Sequence, residues 1–112
     1  MLIDSSGLMC LFDVKDHRHS SAIEQFDSAT GRLIHNYVLA EFVALAIARR
    51  APLTAALQFV ETISSGSEVE VAWVSRELHE RGVQLLLERT DKRWSLCDAV
   101  SFVIMQERHI DD

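Results

Sequence analysis

The spacing of apolar positions changes several times along this chain, and each change predicts an element. Met1-Leu2-Ile3 is an apolar run that stops at Asp4, which predicts a short buried strand over residues 1–4. Ser5 to Asp13 is a transition, with Gly7 as a hinge and a short helical turn carrying Leu8, Met9, Leu11 and Phe12. The polar run Asp16 to Ser20 opens a helix. Within it Ala22, Ile23, Phe26 and Ala29 recur at helical spacing until Thr30-Gly31. Arg32 to His35 predicts a second short strand, with Asn36 as cap for a helix from Tyr37 to about Arg50. That helix is apolar nearly all round and is expected to be buried. Ala51-Pro52 breaks it, and Leu53, Ala56, Leu57, Val60 and Ile63 stripe the next helix as far as Ser64-Ser65-Gly66-Ser67.

Glu68 to Val74 alternates acid and apolar residues, the period of a strand. Ser75 then caps a helix to about Glu88 with Leu78, Leu85 and Leu86 inward, interrupted by Gly82. Thr90 to Arg93 is a charged connection. Ser95-Leu96-Cys97-Asp98 has the form of a capping box, opening a last helix to about Arg108. Three short strands alternating with helices imply an α/β fold: a parallel sheet with helices on both faces, in one domain over residues 1–112.

Composition narrows the class. The 48% apolar and 25% charged residues build a core rather than a disordered chain. A net charge of −6 argues against coating nucleic acid by bulk electrostatics, yet leaves room for a nucleic-acid enzyme whose acidic site binds cations. Cys10 and Cys97 stand far apart with no metal-type spacing and read as reduced, mostly buried thiols. No signal peptide and no apolar run near the ~20 residues of a membrane span is present, so a cytoplasmic protein is expected.

Three acids stand apart from the solvated majority. Asp4 ends an apolar run. Glu41 is the only charge between Tyr37 and Ala48, and Asp98 the only one between Trp94 and Met105. A lone buried carboxylate costs several kcal/mol. A cap role would explain Asp4 or Asp98 singly, and an Arg pair would explain Glu41. One divalent cation would explain all three, and oxygen ligands suit Mg²⁺ or Mn²⁺ rather than zinc. Such a metal can activate water against a phosphodiester.

The strings MLIDSSGLMCLF, NYVLAEFVAL and DKRWSLCDAVSFVIMQER resemble the PIN domain family, and most of all its VapC-type toxin ribonucleases. The likeness spans essentially the whole chain. It implies a three-layer α/β/α fold and a Mg²⁺- or Mn²⁺-dependent endoribonuclease of a toxin–antitoxin module. It further implies a homodimer, an RNA substrate and inhibition by a cognate antitoxin. Asp4, Glu41 and Asp98 match the family's metal-binding acids. Ser6 matches its hydroxyl residue beside the first Asp, and Asp91 an acid at the site's edge. Family members usually continue into another strand and a Thr/Ser-x-Asp segment bearing a fourth acid. This sequence ends at His109-Ile110-Asp111-Asp112, and neither last acid matches that one. The expectation is therefore a C-terminally short PIN domain, with a decayed, non-catalytic binding or dimerisation module as the alternative. An enzyme with Asp4 as phosphoacceptor is a further reading, and it would need Lys15 or Lys92 nearby.

Arg49-Arg50 and Lys92-Arg93 are candidates to meet RNA phosphates. Trp94 suits either base stacking or a core or lid role. Trp73 and Phe102 are assigned to the core or a dimer contact. His17 and His19 read as surface residues, and His35 as a structural residue near the presumed site.

Overall fold

The computed structural model describes residues 1–111; Asp112 lies outside the described residues. In chain order the helices and strands are α1 (Ser5–Phe12), α2 (His19–Ser28), β1 (Leu33–His35), α3 (Asn36–Ala48), α4 (Leu53–Ser65), β2 (Glu70–Ala72), α5 (Arg76–Glu88) and α6 (Leu96–Arg108). The two strands pair in parallel, Leu33 with Glu70, Ile34 with Val71 and His35 with Ala72.

The expected first strand is reduced to a single parallel bridge, Leu2 to Leu33. Its two backbone bonds are Ile3 N–H to Leu33 O at 2.8 Å and Leu33 N–H to Met1 O at 2.9 Å. The reason is local. Asp4 leaves the strand to cap α1, so the extended segment ends after three residues and the sheet has two strands instead of three.

The strands still divide their side chains between two faces, as a period of two requires. Ile3, Ile34 and Val71 enter a core built with α1, α3 and α4 around Leu8, Val38 and Phe42. Leu2, Leu33 and Ala72 join a second, smaller core with Val100 and Ile104 of α6. Helices therefore cover both faces.

Helix ends follow their sequence signals, with two exceptions. Ser75 accepts from Leu78 N–H, and Ser95 and Asp98 complete the capping box. Asn36 is not the cap of α3: that position is His35, and the Asn36 amide oxygen instead accepts from Val74 N–H at 2.7 Å. The other exception is the end of α3. Arg50 takes the left-handed conformation (φ 62°) usually given to glycine. The carbonyls of Ile47 and Ala46 accept from Arg50 and Ala51 N–H, both at 2.9 Å.

Gly82 explains the tightest helix contact. A Cβ there would lie 2.9 Å from Val100 Cγ2, so the glycine lets α5 sit against α6. Two aromatic assignments narrow, losing the core half of a core-or-dimer-contact reading. Trp73 is 69% exposed and Phe102 is 39% exposed, so neither is a core residue. Helix α3 is less enclosed than its composition suggests, with Val38, Leu39, Phe42 and Ala46 buried but Ile47 exposed. No helix among the described residues is long and apolar enough to cross a membrane.

Candidate active site

Each of the three singled-out acids arrives on the N-terminal part of a helix, or close to it. Asp4 is the N-cap of α1, and its Oδ1 accepts from Gly7 N–H at 2.6 Å. Gly7 makes room for this bond, because a Cβ there would stand 3.0 Å from the same oxygen. Glu41 lies in the second turn of α3, half-buried, and its carboxylate accepts from the Ser5 hydroxyl. Asp98 sits in the first turn of α6. Its Oδ2 accepts from Ser95 N–H at 3.0 Å, and its own N–H donates to Ser95 Oγ at 3.0 Å.

Asp4 and Asp98 are exposed, so the burial expected from their apolar neighbours applies to neither. Asp4 is the N-cap of α1, and Asp98 is the third helical residue of α6, completing the box that Ser95 caps. Only Glu41 bears a desolvation cost. The Ser5 hydroxyl answers it, rather than an arginine.

Cys97, one residue before Asp98, is influenced by all three. Burial is the largest influence on its thiol and pushes it up to about 12; the charges of Glu41 and Asp98, a contact with the Glu41 carboxylate and the charge of Asp4 push the same way. One sulfur, in the first turn of α6, thus feels all three carboxylates. Three carboxylates are a donor set of the kind a hard divalent cation takes, so the chemistry of the residues fits Mg²⁺ or Mn²⁺. Their present placement is looser than a chelate. Among the described residues no three His, Cys, Asp or Glu side chains stand close enough together to hold one ion. Each carboxylate is engaged by its own local donor.

The remaining predicted residues lie further out. Ser6 is exposed on the first turn of α1, while its neighbour Ser5 makes the bond to Glu41. Asp91 is in the exposed α5–α6 connection, paired with Arg89 Nε at 3.6 Å. Lys92 and Arg93 follow it, exposed, before the capping box. Arg49 and Arg50 are exposed beyond the end of α3; at about 1.5 Å per helical residue they lie roughly 12 Å past Glu41 along the axis. Trp94 packs edge-on to Phe102 with centroids 4.8 Å apart, and the Arg89 guanidinium lies 5.5 Å over its ring. His17 is on the surface, and His19 Nδ1 meets Cys10 O at 2.8 Å.

His35 is completely buried and hydrogen-bonded to Ser101 Oγ through Nε2 at 2.8 Å. Burial, its largest influence, pushes the imidazole down to about 4, with the Cys97 carbonyl acting weakly the other way. Sequence reasoning missed Ser5, Cys97 and Ser101. Small residues with no charge or pattern gave no signal. Only the spacing Cys97 to Ser101, one helical turn, would have placed those two on one face.

No protein-family model matches the chain. Ribonuclease VapC26 of Mycobacterium tuberculosis (strain ATCC 25618 / H37Rv) is 29% identical over 105 residues, spanning 93% of this chain and 76% of that protein. The crystal structure of Mycobacterium tuberculosis VapC20, described as a sarcin-ricin loop cleaving toxin, superposes with a TM-score of 0.87. It is 27% identical, and the match covers 97% of this chain and 83% of VapC20.

Proposed function

We propose that this chain, a VapC-type PIN fold in both sequence and architecture, is a divalent-metal-dependent endoribonuclease of a toxin–antitoxin module. The observation that carries the reading is the superposition on VapC20 over 97% of this chain, at a TM-score of 0.87. Asp4, Glu41 and Asp98 would hold Mg²⁺ or Mn²⁺. When bound, the metal supplies an activated water and positive charge beside the phosphate.

The chain's own residues do the positioning. Ser5 fixes the Glu41 carboxylate from across the α1–α3 junction. The Ser95 box fixes Asp98 in the first turn of α6, where the helix dipole favours its charge. Lys92 and Arg93, five to six residues before Asp98, are nearer the site along the chain than Arg49 and Arg50 and are the better candidates for phosphate contact. Trp94 is engaged by Phe102 and Arg89, which favours a wall at this rim over a free stacking platform. Exposed Trp73, Ile47, Leu53 and Leu57 support protein partners, a second copy and an antitoxin.

The test is cleavage of RNA with Mg²⁺ and with Mn²⁺, with a sarcin–ricin loop oligonucleotide among the substrates because VapC20 carries that description. Asp4→Asn, Glu41→Gln and Asp98→Asn should each abolish cleavage. Full activity in any of them would remove that residue from the site.

A second reading has its own observation. All three carboxylates already serve local roles, two as helix caps and one as acceptor from Ser5. A non-catalytic antitoxin-binding or RNA-binding module would keep this arrangement. Calorimetric titration with Mn²⁺ separates the two, since absence of binding at millimolar metal leaves only the binding role.

A further inference from the structure

His35 occupies the point where the carriers of the three acids meet. It is the last residue of β1 and the N-cap of α3, six residues before Glu41. Two residues earlier, Leu33 holds the segment that delivers Asp4. Across the fold its imidazole reaches Ser101 of α6, one turn after Asp98. Ser101 Oγ in turn donates to the Cys97 carbonyl at 3.0 Å.

The direction of this relay follows from its donors. Ser101 has one proton, and the Cys97 carbonyl takes it. Ser101 Oγ can then only accept from His35, so Nε2 carries the imidazole proton. Nδ1 is left with a lone pair and no partner among the described residues. The opposite tautomer would bury an orphan N–H instead, the worse alternative. A surface histidine would not accept this constraint. A fully enclosed one does so when the clasp is worth more than the missing bond.

We propose that His35 is a positioning residue: through Ser101 and the Cys97 carbonyl it sets the first turn of α6, and so the distance between Asp98 and Glu41. This rests on the metal-site reading above. His35 touches neither metal nor substrate. Its effect is on how closely the carboxylates stand before a cation arrives. Partners that orient metal ligands change affinity by roughly 10–100-fold when removed. His35 acts one residue away from the ligand, so the low end applies.

Two measurements test it. In the metal-free protein, imidazole ¹⁵N shifts should show the Nε2–H tautomer. His35→Leu should move the Asp98 amide resonance, whereas His35→Gln, which keeps a donor near the Nε2 position, should leave it nearly in place. In Mn²⁺ titrations, His35→Leu and Ser101→Ala should each weaken binding by roughly tenfold. His35→Gln should stay within about threefold of wild type, because it restores the bond. Ala56→Gly in α4, buried in the other core, serves as a destabilised control and should bind as wild type does. An Nδ1–H tautomer, or an unmoved Asp98 amide in His35→Leu, overturns the clasp whether or not metal binds. Equal Mn²⁺ affinity in His35→Leu and wild type overturns its role in metal binding. A wild type that binds no Mn²⁺ refutes the metal reading, and with it the step from clasp to affinity.

Discussion

Gly82→Ala isolates the packing on which the Asp98 helix depends. The added Cβ would stand 2.9 Å from Val100 Cγ2 and 3.4 Å from Leu96 Cδ1. Carbon atoms pack at about 3.5–4.0 Å, so α5 and α6 must part by roughly 0.6–1 Å or Val100 must leave its rotamer. Val100 is fully buried and β-branched, and it cannot swing away as a long side chain would. Overpacking of this kind costs about 1–3 kcal/mol. Against it, alanine is the better helix former by about 1 kcal/mol. The net expectation is a loss of about 1 kcal/mol, or a fall in Tm of roughly 4 °C for a domain of this size. Val100→Ala removes two methyl groups and should itself cost about 1.5–2 kcal/mol. In that background the steric term vanishes, so adding Gly82→Ala should stabilise by about 1 kcal/mol. Urea unfolding followed by circular dichroism, with an unchanged m-value, reads the cycle. If Gly82→Ala stabilises the wild type and the Val100→Ala variant equally, the two helices do not approach as described.

Three further outcomes follow from other parts of the fold. Arg50→Gly relieves the left-handed residue at the end of α3 and should raise stability by about 1 kcal/mol, read as a higher urea midpoint; no gain would mean that the Arg50 side chain compensates its backbone. Ser5→Ala leaves the half-buried Glu41 carboxylate without its donor and should cost about 1–2 kcal/mol, with RNA cleavage lost beyond what the same destabilisation causes elsewhere; unchanged stability and cleavage would show the bond to be dispensable. His35 titrates near 6.5 when unfolded and at about 4 when folded, so below pH 6.5 the unfolded chain takes up a proton that the fold refuses. Stability from this residue is full above pH 6.5 and drains as pH falls to 4, by up to roughly 3 kcal/mol; His35→Gln should flatten that window, and an identical pH profile in the variant would contradict the buried neutral imidazole.

Helices proved more legible than strands or the site. The signals at Ser75, Ser95 and Arg108 place α5 and α6 almost to the residue, because capping chemistry is local and survives any tertiary context. Short strands carry no such punctuation. Glu68 to Val74 alternates over seven residues, yet only Glu70–Ala72 pair, since β1 opposite offers three residues. The first helix is obscured for a related reason: in sequence Asp4 closes an apolar run, and its second role as a cap extends α1 back to Ser5.

The site shows what isolation in sequence can signify. An acid alone among apolar residues looked buried. In Asp4 and Asp98 it marks a helix end, where an apolar face begins just after a polar cap. The cost argument that grouped the three applies to Glu41 alone, since Asp4 and Asp98 are exposed. Trp73 shows the converse: size and apolarity suggest a core or a dimer contact, and its exposure just after β2 rules out the core.

The bridge at Leu2 has a consequence for when a site exists at all. Asp4 is delivered by a three-residue segment tied to β1 through two backbone bonds and to Gly31 O through the Met1 amino group at 2.9 Å. Elements so lightly held open by local fluctuation well before the whole molecule unfolds. Each such opening would free the strand side of Asp4, which its cap bonds still hold to α1, while Glu41 and Asp98, on helices of thirteen residues each, stay in place. The fraction of molecules with three acids gathered is thus a thermodynamic population, adjustable by whatever pairs with or frays residues 1–3. The Ile3 amide should exchange with solvent sooner than the Phe42 or Val100 amides, and the ratio of those rates would measure that population directly.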